Sequence, residues 1–470
     1  MLTTMELSYS NEPWAKDAYT AYEYLVDHMG RDNWIERRQK IVKYFQDQTK
    51  VGFTEKDILN GDMKMMFSPI AVYSDWIAWY MFLVECLIQR PSSGDAVQGA
   101  RIFPFFSRIG KDLDSIKQIT GIDKRIDELL SERDNHPDSS LFEILVANLY
   151  KTQGWDVQFI PENVGFKTPD FSISKGDAFF EVECKRMQKV PKYSEDERIL
   201  WQNRSRHLVS LLKNINYSCY IDFNFKVPLE DTDERILITL FYMYLAKFGG
   251  GKVGTILSDQ IDMAVKPIYI HKVNEILAKK DIKMFSPEMV QALIGKYQSG
   301  SNCSFATDFV EGSKLGIEDG LDVLNVFCSK ISKAYVFKWE STSEYSIDKK
   351  ARDVKHHIHK AFTQLSNSKD GIIHVGYETL DGPIVERRRF ERIEKTVQNF
   401  DFKDKRVKAI YCHALQLLPE YENFNWAETN CYFQKDNAPT LENLMLFTPD
   451  VESKNDPHWE QDIRNRPGSM

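Results

Sequence analysis

The sequence predicts an α/β protein preceded by an all-helical N-terminal domain, on three observations. Up to about residue 134 apolar residues recur at helical spacing, as in Tyr22, Leu25 and Val26, with few two-residue alternations. From residue 139 one helix-like run, Leu141 to Gln153 closed by Gly154, gives way to the strand-like runs DVQFI, DFSIS and AFFEVEC. Late in the chain, strand and helix patterns alternate: AYVFKW, Ile347 to Leu365, GIIHVGY, Ile384 to Phe400 and VKAIYCHAL.

The boundaries follow from breaker chemistry. The segment DKRIDELLSERDNHPDSS ends in Asn, Pro, Asp and Ser, which stop one helix and start the next, so a helical domain is expected over 1–134. An α/β domain is expected over 135–450, with an insertion at about 227–332 that holds ERILITLFYMYLAKF, the turn GGGKVG and PIYIHKV. Residues 451–470 are polar and Pro-bearing, and read as a tail with too little apolar surface to order itself.

Bulk properties narrow the function classes. With 470 residues and 42% hydrophobic content the chain can bury a sizeable core and build two or three units. A formal charge of -8 excludes a protein that coats nucleic acid by overall electrostatics, so any phosphate contact must come from a local basic patch. Seven cysteines without a CxxC pair, and a start lacking a secretory signal, point to a reducing cytoplasm. The apolar segment Ile70 to Ile88 is interrupted by Asp75 and Glu85, which makes it a buried helix and no membrane span.

The chemistry concentrates in GFKTPDFSISKGDAFFEVECKR, two strand-like runs joined by the turn-forming SKGD, hence a β-hairpin. Side chains alternate along a strand, so Phe180, Val182 and Cys184 face one side while Glu181, Glu183 and Lys185 face the other. Asp170 stands at the start of the first strand, after Pro169, and hairpin pairing brings it beside Glu183 and Lys185. Two close carboxylates suit Mg²⁺ or Mn²⁺, which take one or two carboxylates and keep several waters, with the Cys184 carbonyl as a third ligand. Lys185 is placed to orient a water or to stabilise developing charge. The bland alternative is a solvated strand face of alternating charges.

Pro169-Asp170 followed by Glu183-Cys184-Lys185 resembles the PD-(D/E)xK nuclease superfamily. The resemblance implies a restriction-endonuclease-like mixed central sheet flanked by helices, divalent-metal catalysis, and a supporting glutamate on the preceding helix, where Glu143 stands. Glu143 has a competing role, because Ser140-Leu-Phe-Glu143 also reads as a capping box. The family core is completed by a further helix and strand. Two pairs are available, Ile199 to Leu212 with YSCYIDFNFK nearby, or IDKKARDVKHHIHKAFTQL with GIIHVGY farther on; the KAxxQL ending favours the distant pair.

Two basic surfaces answer the requirement for a local patch: Arg352, Lys355, His356 and His359 on one face of that distant helix, and Arg387, Arg388, Arg389 and Arg392 in ERRRFERIEK. His356, His357 and His359 lack a third ligand and read as a solvated or phosphate-facing helix surface. The sequence thus leads to the expectation of a metal-dependent nuclease acting on phosphodiester bonds, with DNA favoured over RNA and microbial restriction or antiviral defence as its setting. Its N-terminal domain would serve a regulatory partner or homo-oligomer. The alternative is a non-catalytic nucleic-acid-binding or scaffold protein with a nuclease-like fold.

Overall fold

The computed structural model describes residues 11–50, 74–90, 94–131, 137–161, 168–187, 191–280, 282–284, 286–297, 302–314, 326–351, 354–400, 402, 405–420, 423–435, 437–447 and 456–464. The chain opens with the helices α1 (Pro13–Met29), α2 (Arg31–Lys50), α3 (Trp76–Gln89), α4 (Ala96–Lys111), α5 (Leu113–Ile116) and α6 (Ile122–Leu130). Then come α7 (Pro137–Lys151), β1 (Asp156–Phe159), β2 (Phe171–Lys175) and β3 (Ala178–Arg186). A second unit follows: α8 (Lys192–Lys213), β4 (Cys219–Phe225), α9 (Ile236–Phe248), β5 (Gly254–Ile256), β6 (Ile261–Pro267), α10 (Ile270–Leu277), β7 (Ile282–Lys283), α11 (Pro287–Ile294), β8 (Asn302–Lys314) and β9 (Val326–Ser341). The chain then returns through α12 (Glu344–Lys350), α13 (Val354–Gln364), β10 (Asp370–Glu378), α14 (Pro383–Gln398), β11 (Arg406–Glu420), β12 (Asn423–Gln434) and α15 (His458–Arg464).

The fold is mixed α/β, with two mixed sheets flanked by helices. The first sheet runs β1-β2-β3-β10-β11-β12. Its outer pairs are antiparallel, while β3, β10 and β11 are parallel. The β2-β3 hairpin forms where SKGD predicts it, with Gly176 at φ +59°, a left-handed turn conformation that a side chain would disfavour. β10 is buried almost throughout, as a parallel strand covered on both faces must be. On one face Phe180, Val182, Cys184 and Ile372 pack with Phe142 and Leu145 of α7. On the other, Ile373, Val375 and Ile410 pack with Ile358 and Ala361 of α13 and Ile393 of α14.

The described helices of the domain expected over 1–134 share an apolar core with the first sheet. A single apolar cluster runs from Ala15, Leu25, Trp79 and Phe106 through Phe142 and Val182 to Leu417 of β11. Helical periodicity reveals that each helix has an apolar face but not what covers it. Here Trp14 of α1 meets Phe424 and Trp426 of β12 at 5.8 and 4.7 Å between ring centroids, and α4 places Arg101 on Glu378 of β10 at 2.7 and 2.5 Å. A Cβ at Gly110 would stand 1.7 Å from the Asp17 carbonyl, so α1 and α4 touch backbone to backbone. The segment expected to be a buried helix is one, as far as it is described: α3 buries Trp79, Tyr80 and Phe82. Glu85 is answered by Arg38 at 2.7 Å and Tyr22 at 3.0 Å, and Asp75 by the fork of Arg37 at 2.8 and 2.5 Å. Among the described residues no helix is long and apolar enough to cross a membrane.

The insertion is larger than the expected 227–332. YSCYIDFNFK and AYVFKW, assigned to the surrounding domain from sequence, pair with each other as β4 and β9, with Ile221 opposite Phe337. They belong to the second sheet, β5-β6-β4-β9-β7 with β8 on β9. Strand propensity does not choose a partner; pairing does. The whole run from α8 to β9 is therefore the excursion, with its own core around Trp201, Phe223, Phe241 and Trp339. The distant pair is the one beside β3: β10 lies parallel to it, with Glu183 opposite Ile373, and α13 covers that strand. The single helix expected from Ile347 to Leu365 is divided into α12 and α13. Residues 458–464 of the expected tail form α15, because Trp459 has somewhere to bury, 5.5 Å from Phe390.

Candidate functional site

Asp170 lies at the hairpin's open end, immediately before β2. Its N–H donates to the Val182 carbonyl at 3.1 Å and its carbonyl accepts from Ile160 at 3.0 Å, so the backbone is held by both neighbouring strands. Its side chain reaches across instead of outward: Oδ2 accepts from the Cys184 N–H at 2.6 Å. The register with Phe171 opposite Val182 extends to place Asp170 beside Glu183, as the sequence predicts.

Glu183 is fully buried, and its Oε1 accepts from the Lys185 ammonium. Its Oε2 is buried without a hydrogen-bond partner. Burial first, and then the neighbouring Asp170 charge, push the Glu183 carboxyl up to about 8 against the opposing pull of Lys185. Lys185 is partly exposed at the strand's end. Cys184 points the other way, into the apolar cluster, and burial pushes its thiol well above its ordinary value. Only its main-chain carbonyl remains as a candidate ligand. Glu181 closes the row: its carboxylate accepts from the Ser366 N–H at 3.0 Å, with the Lys369 ammonium 3.6 Å away.

Glu143 is not a helix cap. Because α7 begins at Pro137, Glu143 falls in its second turn, where its carboxylate meets Arg125 of α6. The Arg125 guanidinium also donates to Glu128 at 2.8 Å and stands 3.9 Å from Asp170 Oδ1. Beside it opens a cleft of about 90 Å³ lined by Lys124, Arg125, Phe159, Thr168, Pro169, Asp170 and Gln364, among others. Arg125 and Lys124 escape sequence reasoning because their helix lies before the hairpin in a segment assigned to another domain. Gln364 is the glutamine of the KAxxQL ending, a signal read for topology but not for the site.

Among the described residues no group of three or more His, Cys, Asp or Glu is arranged to hold a metal ion. The set fits a hard divalent cation nonetheless, since Mg²⁺ is commonly held by one or two carboxylates with water completing its shell. Asp170 and Glu183 supply that pair, and the orphaned Glu183 Oε2 is an acceptor in want of a partner.

Of the expected phosphate-contacting residues, Lys355, His356 and His359 are exposed on α13, while Arg352 lies outside the described residues. The second patch is largely neutralised within the chain. Arg387 forks onto Glu460 of α15 at 2.6 and 2.5 Å, and Arg388 holds Asp348 at 2.9 Å and Glu344 at 2.8 Å. A run of arginines in sequence does not reveal the carboxylates that other elements bring to it. No family model, curated protein or solved structure matches the chain.

Proposed function

We propose that the chain is a metal-dependent nuclease of the PD-(D/E)xK type, hydrolysing phosphodiester bonds of DNA in preference to RNA. One observation carries the reading: Glu183 is a fully buried carboxylate with an unpartnered oxygen, beside Asp170 and Lys185. An unsatisfied buried oxygen costs on the order of 1–3 kcal/mol, and more when the group is charged, so a purely structural glutamate here would be a poor choice. The order α7-β1-β2-β3, then α13-β10 beside β3, supports a restriction-endonuclease-like core.

A divalent cation on these carboxylates would lower the pKa of a bound water and absorb charge on the phosphorane-like transition state. The chain's own residues prepare the place. The Cys184 N–H orients Asp170, Lys185 neutralises Glu183 from the solvent side, and the exposed Lys355, His356 and His359 offer contacts to a nucleic-acid backbone. All seven cysteines are free, in keeping with a cytoplasmic setting such as restriction or antiviral defence.

The test is cleavage of single- and double-stranded DNA and RNA by the purified chain with Mg²⁺ or Mn²⁺. Asp170→Asn and Lys185→Ala should each abolish cleavage while circular dichroism stays unchanged. Undiminished cleavage in both variants would sink the reading; nucleic-acid binding without cleavage or metal uptake would favour the scaffold alternative.

A further inference from the structure

We propose that the Arg125 guanidinium is a built-in counter-cation of this site, which a divalent metal must displace from Glu143 and Asp170 in order to load. The inference rests on the metal-site reading above and adds its regulation. Nη2 of Arg125 contacts Glu143 Oε2 and stands 3.9 Å from Asp170 Oδ1, so one nitrogen approaches both a candidate metal ligand and the supporting glutamate. Nη1 is fastened to Glu128 Oε2 at 2.8 Å, and the guanidinium lies 5.7 Å from the Phe159 ring centroid. A planar guanidinium can span several carboxylates in this way, where a compact ammonium cannot.

A guanidinium and a divalent cation repel strongly at contact distance in a half-buried site, so the two do not share the carboxylates. The adjoining cleft gives the displaced side chain room beside Thr168 and Gln364. Arg125 is also carried by α6, which packs on α1 and α3. Metal loading is thereby tied to the N-terminal helices: a partner that shifts α6 would change metal affinity without touching the β-hairpin.

Calorimetric titration of the full chain with Mn²⁺, without nucleic acid, tests the displacement. Removing a unit positive charge a few ångströms from the ligands should tighten Mn²⁺ binding in Arg125→Gln by about tenfold or more relative to wild type. Arg125→Lys should fall between the two, and Asp170→Asn should bind no Mn²⁺. Folded Arg125→Gln that binds Mn²⁺ no tighter than wild type overturns the inference and leaves the metal site standing. Should Arg125→Gln fail to fold, Arg125→Lys binding no tighter than wild type overturns it equally. Absence of Mn²⁺ binding in wild type and both Arg125 variants removes the metal site and the inference together.

Discussion

The carboxylate of Asp170 accepts a hydrogen bond from the backbone N–H of Cys184, 2.6 Å across the hairpin mouth. This residue therefore both closes the hairpin and faces Glu183. The two roles separate by substitution. Asp170→Asn keeps an acceptor oxygen and should retain wild-type stability within about 1 kcal/mol, whereas Asp170→Ala should lose roughly 1–3 kcal/mol by orphaning the Cys184 N–H. Urea melts of the two variants check this, and equal losses would show that the hydrogen bond does not hold the mouth.

Glu378 at the end of β10 is shared by Arg101 of α4 and Arg186 of β3. Burial alone would push its carboxyl up, but the arginines outweigh burial and hold it below the ordinary carboxylate value. Glu378→Gln leaves the Arg186 guanidinium without this countercharge and Arg101 with only Asp138, 3.8 Å away, and should destabilise the chain by about 3–5 kcal/mol. Because Arg101 belongs to the N-terminal helices, helix and sheet signals should melt together in this variant. Selective melting of the helices would restore an independent N-terminal domain.

His458 sits between the Thr379 and Thr429 hydroxyls at 3.0 and 2.8 Å, and burial lowers its pKa to about 4. A histidine depressed in the folded state contributes stability that is complete above its ordinary value near 6.5 and is lost as pH falls toward 4. Acidification over that window should loosen α15 and expose Trp459, seen as a red shift in tryptophan emission. His458→Gln should flatten the response; an unchanged profile would move its origin elsewhere.

On the nuclease reading, the exposed face of α13 and the paired arginines of α14 should behave differently. Lys355→Ala with His359→Ala should weaken nucleic-acid binding and lower its salt dependence by about one counterion. Arg387→Ala should leave binding within roughly twofold, since Glu460 already occupies that guanidinium. Fluorescence anisotropy across a salt series distinguishes them, and the reverse ranking would reject α13 as the contact surface.

Local rules made the hairpin legible. The two-residue alternation of β3 and the turn chemistry of Gly176 act within a few residues, so Asp170, Glu183 and Lys185 meet as the sequence predicts. Arg125 was not legible, because its place beside Glu143 depends on how α6 lies against α7. The insertion was misjudged for the same reason: YSCYIDFNFK carries a strand's composition whichever sheet receives it. The partners of Arg387 and Arg388 come from α12 and from α15 near the chain's end, which no local pattern announces.

The long excursion between β3 and α12 bears on how the site is assembled. Glu183 and Ile373 are ladder neighbours although the entire second unit separates them in sequence, and closing so wide a loop from an unstructured chain is entropically unfavourable and slow. A second unit that folds first would shorten that search. Its first helix and the helix that follows it are joined by the buried contact of Glu197 with Lys350 at 2.5 Å, so a folded insertion holds its two ends side by side. On this geometry a second unit that folds first would brace the return of β10 toward β3, and a substitution far from any carboxylate of the site would then set how quickly the site comes into being.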